Sequence, residues 1–308
     1  MINRNLIRIR VVQIVYSWYQ NKNNDLRKAE KELMFGMQKS YDLYYYMLTL
    51  MLELTKIYEA RVESRKNKFL PTDDDLNPNT NLIDNKFINQ LSDNRQLQLY
   101  INERPLSWVD HESFVKTLLD KILESEAYKS YSLISSPSYE QDREFWRKSF
   151  KDFIYLNEEL DDILEDESIY WNDDVEIVQS FVLKTIKRFS EVNESNQPLL
   201  PMFKDEEDKR YALKLLDETI INEKKFRELI EKHTEKRDFE RIAIMDLIIM
   251  QIALAEISTF DSIPTNVSMN EYIEIGKSYS TPKSSIFING ILDAIVHELK
   301  KENLIFKN

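Results

Sequence analysis

Arg4, Arg8 and Arg10 stand in the first twenty residues of this 308-residue chain, with no acidic side chain among them. Guanidinium groups fork onto phosphate or stack on unpaired bases. On a chain of net charge −12 such an end points to an anionic partner, or else to a solvated helix face. Other chemistry is thinner. His111, His233 and His297 are far apart and none lies in an H-E-x-x-H arrangement; glycines only at 36, 276 and 290 leave no P-loop and no G-x-G-x-x-G. The triplet Asp73, Asp74 and Asp75 lacks the alternation and the closing glutamate of a calcium loop. The pairs Glu158 and Glu159, and Asp161 and Asp162, are of the kind that supply acid and base, but they belong to a densely acidic stretch whose ordinary place is solvent. Without cysteine there is no disulfide, thiol catalysis or zinc ribbon. The expectation is a protein that is not an enzyme, with no cofactor and no metal.

The elements that must position these residues are helices. With 42% apolar and 31% charged residues but few Gly and Pro, the chain can bury a core and has little material for tight-turn sheets. No run approaches the roughly 20 apolar residues of a membrane span. The N-terminus alternates charged and apolar residues too early for a secretory segment, so the expected location is cytoplasmic. Ile7, Val11, Ile14, Val15 and Trp18 fall on one helical face. Nothing breaks a helix between Tyr41 and Arg65, which makes Tyr44, Tyr45 and Tyr46 core and core rim rather than a stacking platform. Residues 67–94, rich in Asn and Asp with Pro71 and Pro78, read as a loop or linker. Residues 145–188 can be laid without gaps on 211–254 at an offset of 66, a match of pattern more than identity.

The last third is the most patterned. Between Ile242 and Ile257 apolar residues occur nearly all round the helix, which should be the centre of the core, with Asp238 as a plausible N-cap. Ser268 and Glu271 have the spacing of a capping box. After Pro282 and Lys283, Ser284 or Ser285 is suited to cap the final helix. Inside that helix Gly290 is expected to allow close approach to a neighbour.

The segments "RIAIMDLIIMQIALAEI", "IPTNVSMNEYIEIGKSY" and "SSIFINGILDAI" resemble, in order and spacing, the C-terminal half of the NusB family, and "IRIRVVQIVYSWYQ" resembles its first helix. The resemblance implies an all-α, NusB-like helical bundle formed by residues 1–35 and 205–308, with a large helical insertion, residues 36–204, that it does not explain. It also implies an RNA-binding transcription antitermination factor. Such proteins bind boxA-type single-stranded RNA of ribosomal RNA leaders together with NusE, a small-subunit ribosomal protein, within the Nus-factor and RNA polymerase complex. Carried over by position, the RNA-binding candidates are Arg4, Arg8, Gln13 and Tyr16 on the first helix and Ser284, Phe287 and Asn289 on the last; charge adds Arg10 and Lys283. Asp246 and Glu256 are candidates to face NusE, or else solvent and the arginines of neighbouring helices. Asn5, Leu6 and Ile286 stand where the family commonly has basic residues, which lowers the expected affinity for RNA. The alternative reading is a NusB-like helical scaffold for protein partners, without RNA binding.

Overall fold

A computed structural model describes residues 1–21, 25–104, 106–235, 239–281 and 283–305. Asp238, the expected N-cap, and Pro282 lie outside the described residues. In chain order the α-helices are α1 (Arg4–Asn21), α2 (Leu26–Lys66), α3 (Asp73–Leu76), α4 (Lys86–Ser92), α5 (Arg95–Glu103), α6 (Glu112–Glu124), α7 (Glu126–Ser132), α8 (Tyr139–Ser149), α9 (Glu158–Glu167), α10 (Val175–Arg188), α11 (Glu206–Ile221), α12 (Glu223–Lys232), α13 (Ile244–Thr259), α14 (Thr265–Tyr279) and α15 (Ser284–Lys301). Among the described residues the only pairing of extended backbone outside helices is a parallel bridge between Ile2 and Phe203. The fold is all-α, as the composition and periodicity require. No described helix is long and apolar enough to cross a membrane.

The chain divides into two compact units, one comprising Ile2–Met37 with Phe203–Asn308 and the other Met1 with Gln38–Met202. The helix α2 contributes residues to both. Residues 38–202 hold 31 acidic and 19 basic residues, whereas the remainder of the chain holds 23 of each, so the net charge of −12 belongs to the second unit alone. The unit that carries α1 and α15 is neutral overall, and its own net charge does not oppose an anionic ligand.

In the first unit α13 is the central element. Every residue from Asp246 to Ile257 is buried, because α1, α11, α12, α14 and α15 all pack on it. A helix apolar on every side is stable only when surrounded in this way. The helices α14 and α15 meet at Gly276: a Cβ there would lie 2.9 Å from Ile288 Cδ1. Gly290, expected to serve close approach, does not. It is on the exposed face of α15, and an added Cβ would meet nothing within 4 Å. The expected capping box also dissolves. The helix α14 begins at Thr265, ahead of Ser268, and Ser268 is buried with its hydroxyl directed at Glu256. Neither Ser284 nor Ser285 is the N-cap of α15; that position is Lys283, which makes no side-chain cap.

In the second unit an aromatic interior holds α2, α4, α8 and α10 together. Trp146, Tyr44, Tyr46, Phe87, Phe150 and Phe189 are fully buried, and Tyr46 stacks on Trp108 with ring centroids 4.0 Å apart. The tyrosine cluster is core. Residues 67–94, expected as loop or linker, instead contain α3 and α4, with Leu82, Phe87, Ile88 and Leu91 buried. The reason is that the asparagines cap and brace. Asn85 accepts from Ile88 N and Asn94 from Leu97 N, while Asn79 and Asn81 donate to the backbone of residues 131–134. Asp75 of the acidic triplet closes a capping box with Thr72 and pairs with Arg65 and Lys68, which hold its carboxyl well below the usual range. At the 66-residue offset α9 and α10 overlie α12 and α13.

Candidate nucleic-acid interface

The spacing that makes α1 a helix also directs its arginines. With Ile7, Val11, Ile14 and Val15 turned into the core, Arg8 is carried inward beside them and is only 4% exposed. Its Nε and Nη2 each donate to the Glu256 carboxylate at 2.9 Å, and its Nη1 donates to Glu271 at 3.3 Å. Glu256 is fully buried. It accepts further hydrogen bonds from Ser268 at 2.7 Å, from Tyr272 at 2.9 Å and from Tyr211. Burial pushes the Glu256 carboxyl up, but the hydrogen bonds and charge of Arg8, with the hydroxyls of Tyr211 and Ser268, outweigh it and hold the group below its ordinary range. This six-residue hub joins α1, α11, α13 and α14.

One sequence expectation is corrected by it and one alternative is decided. Arg8 is buried and does not offer its guanidinium at the surface for RNA, and of the two readings of Glu256 the structure takes the arginine of a neighbouring helix rather than a face for NusE. Arg10 is likewise interior, with Nη1 donating to Gln13 at 2.7 Å, so its charge is not on the surface and Gln13 is half-buried against it. Arg4 is half-exposed. It pairs with Glu207 at 3.0 Å and Asp208 at 3.4 Å and lies over the Tyr211 ring. Of the five α1 candidates, Tyr16 alone is exposed, at 37%.

The other candidates converge. Asp246, at the start of α13, and Lys283, Ser284 and Phe287, around the start of α15, line one cavity of about 380 Å³ with Arg241, Ile242, Ala243 and Thr281. Two of them do not face outward as expected. Ser284 is 2% exposed and donates from Oγ to Asp246 Oδ2 at 2.9 Å while accepting from Thr281 N. Asp246 is 6% exposed, so it offers no broad acidic face to NusE. Among the described residues its buried Oδ1 has no hydrogen-bond partner. Lys283 and Arg241 are exposed, and among the described residues neither side chain makes an ion pair or hydrogen bond. Phe287 is half-buried; Asn289 is exposed on α15 and is not part of the cavity lining.

Arg241 escaped the sequence reading, as did Tyr211 and Tyr272. A usable signal existed for Arg241. It stands five residues before Asp246 at the entry to a helix apolar on every side, where a cation has nowhere to point but solvent. The hub tyrosines carry no local signal.

This unit is a helical bundle about one buried helix, with a cavity where the first turns of two helices meet. Comparison with known proteins gives the chain a family. The NusB family model matches residues 174–297. The transcription antitermination protein NusB of Salinibacter ruber is 36% identical over 108 residues, which is 35% of this chain and 68% of that protein. That of Chloroherpeton thalassium is 42% identical over 100 residues, 32% of this chain and 47% of the relative. That of Natranaerobius thermophilus is 42% identical over 92 residues, 30% and 66% respectively. The chain thus spans about half the length of the Chloroherpeton relative and about two thirds of the other two. No solved structure matches. The chain belongs to the NusB family.

Proposed function

We propose that this protein is a transcription antitermination factor that binds boxA-type single-stranded RNA of ribosomal RNA leaders together with NusE, as part of the Nus-factor and RNA polymerase complex, and that it has no enzymatic activity. Family membership supports the antitermination role, since the relatives are named for it. The observation that carries RNA binding is the cavity at the start of α15, where Lys283 and Arg241 are free to meet phosphate beside the Phe287 ring. Unpaired bases of single-stranded RNA stack on such rings while cations track the backbone. The positive end of the α15 dipole adds to the attraction. Tyr16 and Asn289 are the other exposed candidates for the same RNA.

A second reading, a scaffold for protein partners without RNA binding, is favoured by one observation. Two of the three α1 arginines are buried and the third is ion-paired, which leaves the N-terminal helix with little free positive charge. Titration of a boxA-like RNA in a salt series, with and without NusE, separates the two. The antitermination reading expects binding that NusE tightens, that salt weakens and that Lys283→Glu reduces. Absence of binding in both series by folded protein leaves the scaffold.

A further inference from the structure

The cavity between α13 and α15 has a feature that phosphate binding does not use. Asp246, one of its lining residues, is more than nine-tenths buried; one carboxylate oxygen is held by Ser284 at 2.9 Å, and among the described residues the other, Oδ1, has no partner. A buried acceptor left unsatisfied costs about 1–3 kcal/mol, which a donor arriving from a ligand would recover. The lining selects what brings that donor. A lysine or arginine of a protein partner, or a metal ion, must pass Lys283 and Arg241, which repel it. A ligand that is anionic at one end and a hydrogen-bond donor at the other is favoured by both. With Phe287, Ile242 and Ala243 as an apolar wall and a volume of about 380 Å³, within the range of small-molecule sites, the cavity suits one nucleotide.

We infer that this cavity reads a single unpaired base that carries an exocyclic amine, with Asp246 Oδ1 accepting from the amine, Phe287 against the ring, and Lys283 and Arg241 at the phosphate. The inference deepens the RNA-binding reading and rests on it. A carboxylate oxygen accepts from the amine of cytosine, adenine or guanine, as in groove readout where Asp or Glu accepts from cytosine N4. Uracil has no amine. Its only base N–H is flanked by two carbonyl oxygens, which would be driven against the carboxylate. Ser284 is a positioning residue here: its hydroxyl holds Oδ2 and so fixes the carboxylate of Asp246 in the cavity lining.

The test is fluorescence anisotropy with labelled short oligo(C), oligo(A) and oligo(U) on the full chain. Wild type is expected to bind oligo(C) and oligo(A) about five- to tenfold more tightly than oligo(U). Asp246→Asn removes that difference, whereas Lys283→Glu weakens all three alike. Should Asp246→Asn fail to fold, Ser284→Ala decides, since it narrows the preference by releasing the carboxylate while leaving Asp246 in place. Equal binding of the three by wild type, or a preference untouched by both cavity variants, overturns the inference and leaves RNA binding standing. Binding of none overturns the reading beneath it as well. Displacement of oligo(C) by oligolysine from wild type but not from Asp246→Asn would assign the carboxylate to a protein partner and overturn it too.

Discussion

Arg8 and Glu256, 248 residues apart in the chain, form a two-pronged ion pair inside the bundle, both contacts at 2.9 Å. Glu256 receives every donor that α11 and α14 direct at it, so the pair stands in for the apolar packing that this layer would otherwise have. Removing one member leaves the other buried and charged. Arg8→Met is therefore expected to destabilise the unit by roughly 3–5 kcal/mol, and the double variant Arg8→Met, Glu256→Gln by clearly less, because the neutral amide needs no counter-charge. Urea unfolding of both variants measures this; equal losses would mean that the charge pair is not the source.

RNA affinity and Arg8 are consequently a poor pairing for a charge-reversal test. Arg8→Glu puts a second carboxylate against Glu256, and loss of binding there would report unfolding. Lys283→Glu is the informative variant. It is expected to lower RNA affinity about tenfold or more at low salt and to reduce the slope of log affinity against log salt by about 1, with circular dichroism and unfolding unchanged. An unchanged slope would remove Lys283 from the interface.

What was legible in the sequence was what is local. The apolar run Ile242–Ile257, the stripe on α1 and the helix-rich composition each declare themselves within a few turns, and the family follows from three such segments in order. Direction was not legible. Charge and position make Arg8 and Arg10 resemble a basic surface, and only the packing of α13 and α14 shows that Arg8 is drawn inward. The same ambiguity misplaced residues 67–94, since asparagine that caps and braces short helices has the same composition as asparagine in a linker. Ser268 and Glu271 stand three residues apart, the spacing of a capping box, yet both serve the hub, one to Glu256 and one to Arg8.

The two glycines of α14 and α15 should respond oppositely to alanine. Gly290→Ala adds a methyl in open space on a helix and is expected to stabilise by about 0.5–1 kcal/mol. At Gly276 the same gain is opposed by Ile288 Cδ1, which sits 2.9 Å from the new Cβ inside a close-packed seam. Gly276→Ala alone should therefore show no gain, and adding Ile288→Val, which deletes the obstructing methyl, should recover stability relative to Ile288→Val alone. Thermal unfolding of the four proteins tests this; a gain for Gly276→Ala by itself would show that the seam has room.

Asp217 gives the unit a dependence on pH opposite to that of Glu256. Burial, then the charge and hydrogen bond of Glu30, then the charge of Glu218, push its carboxyl from 3.8 up to about 6. Among the described residues the Asp217 Oδ1 has no hydrogen-bond partner. Because the folded state holds this proton more tightly than the unfolded chain, stability from this group is lost as pH rises from about 4 through 6. For Glu256 the folded state favours the charged form, so its contribution is present above the unfolded value and lost as pH falls. Asp217→Asn keeps the shape, removes the like charge beside Glu30 and supplies a donor to it. At pH 7 the variant should be more stable than wild type by about 1 kcal/mol, the shift being discounted because the group is partly exposed. The advantage should vanish by about pH 4, where wild-type Asp217 is protonated in the folded state. Urea unfolding of the pair at several pH values reads this directly, and a stability difference that does not change between pH 4 and 7 would show that the two carboxylates are not coupled.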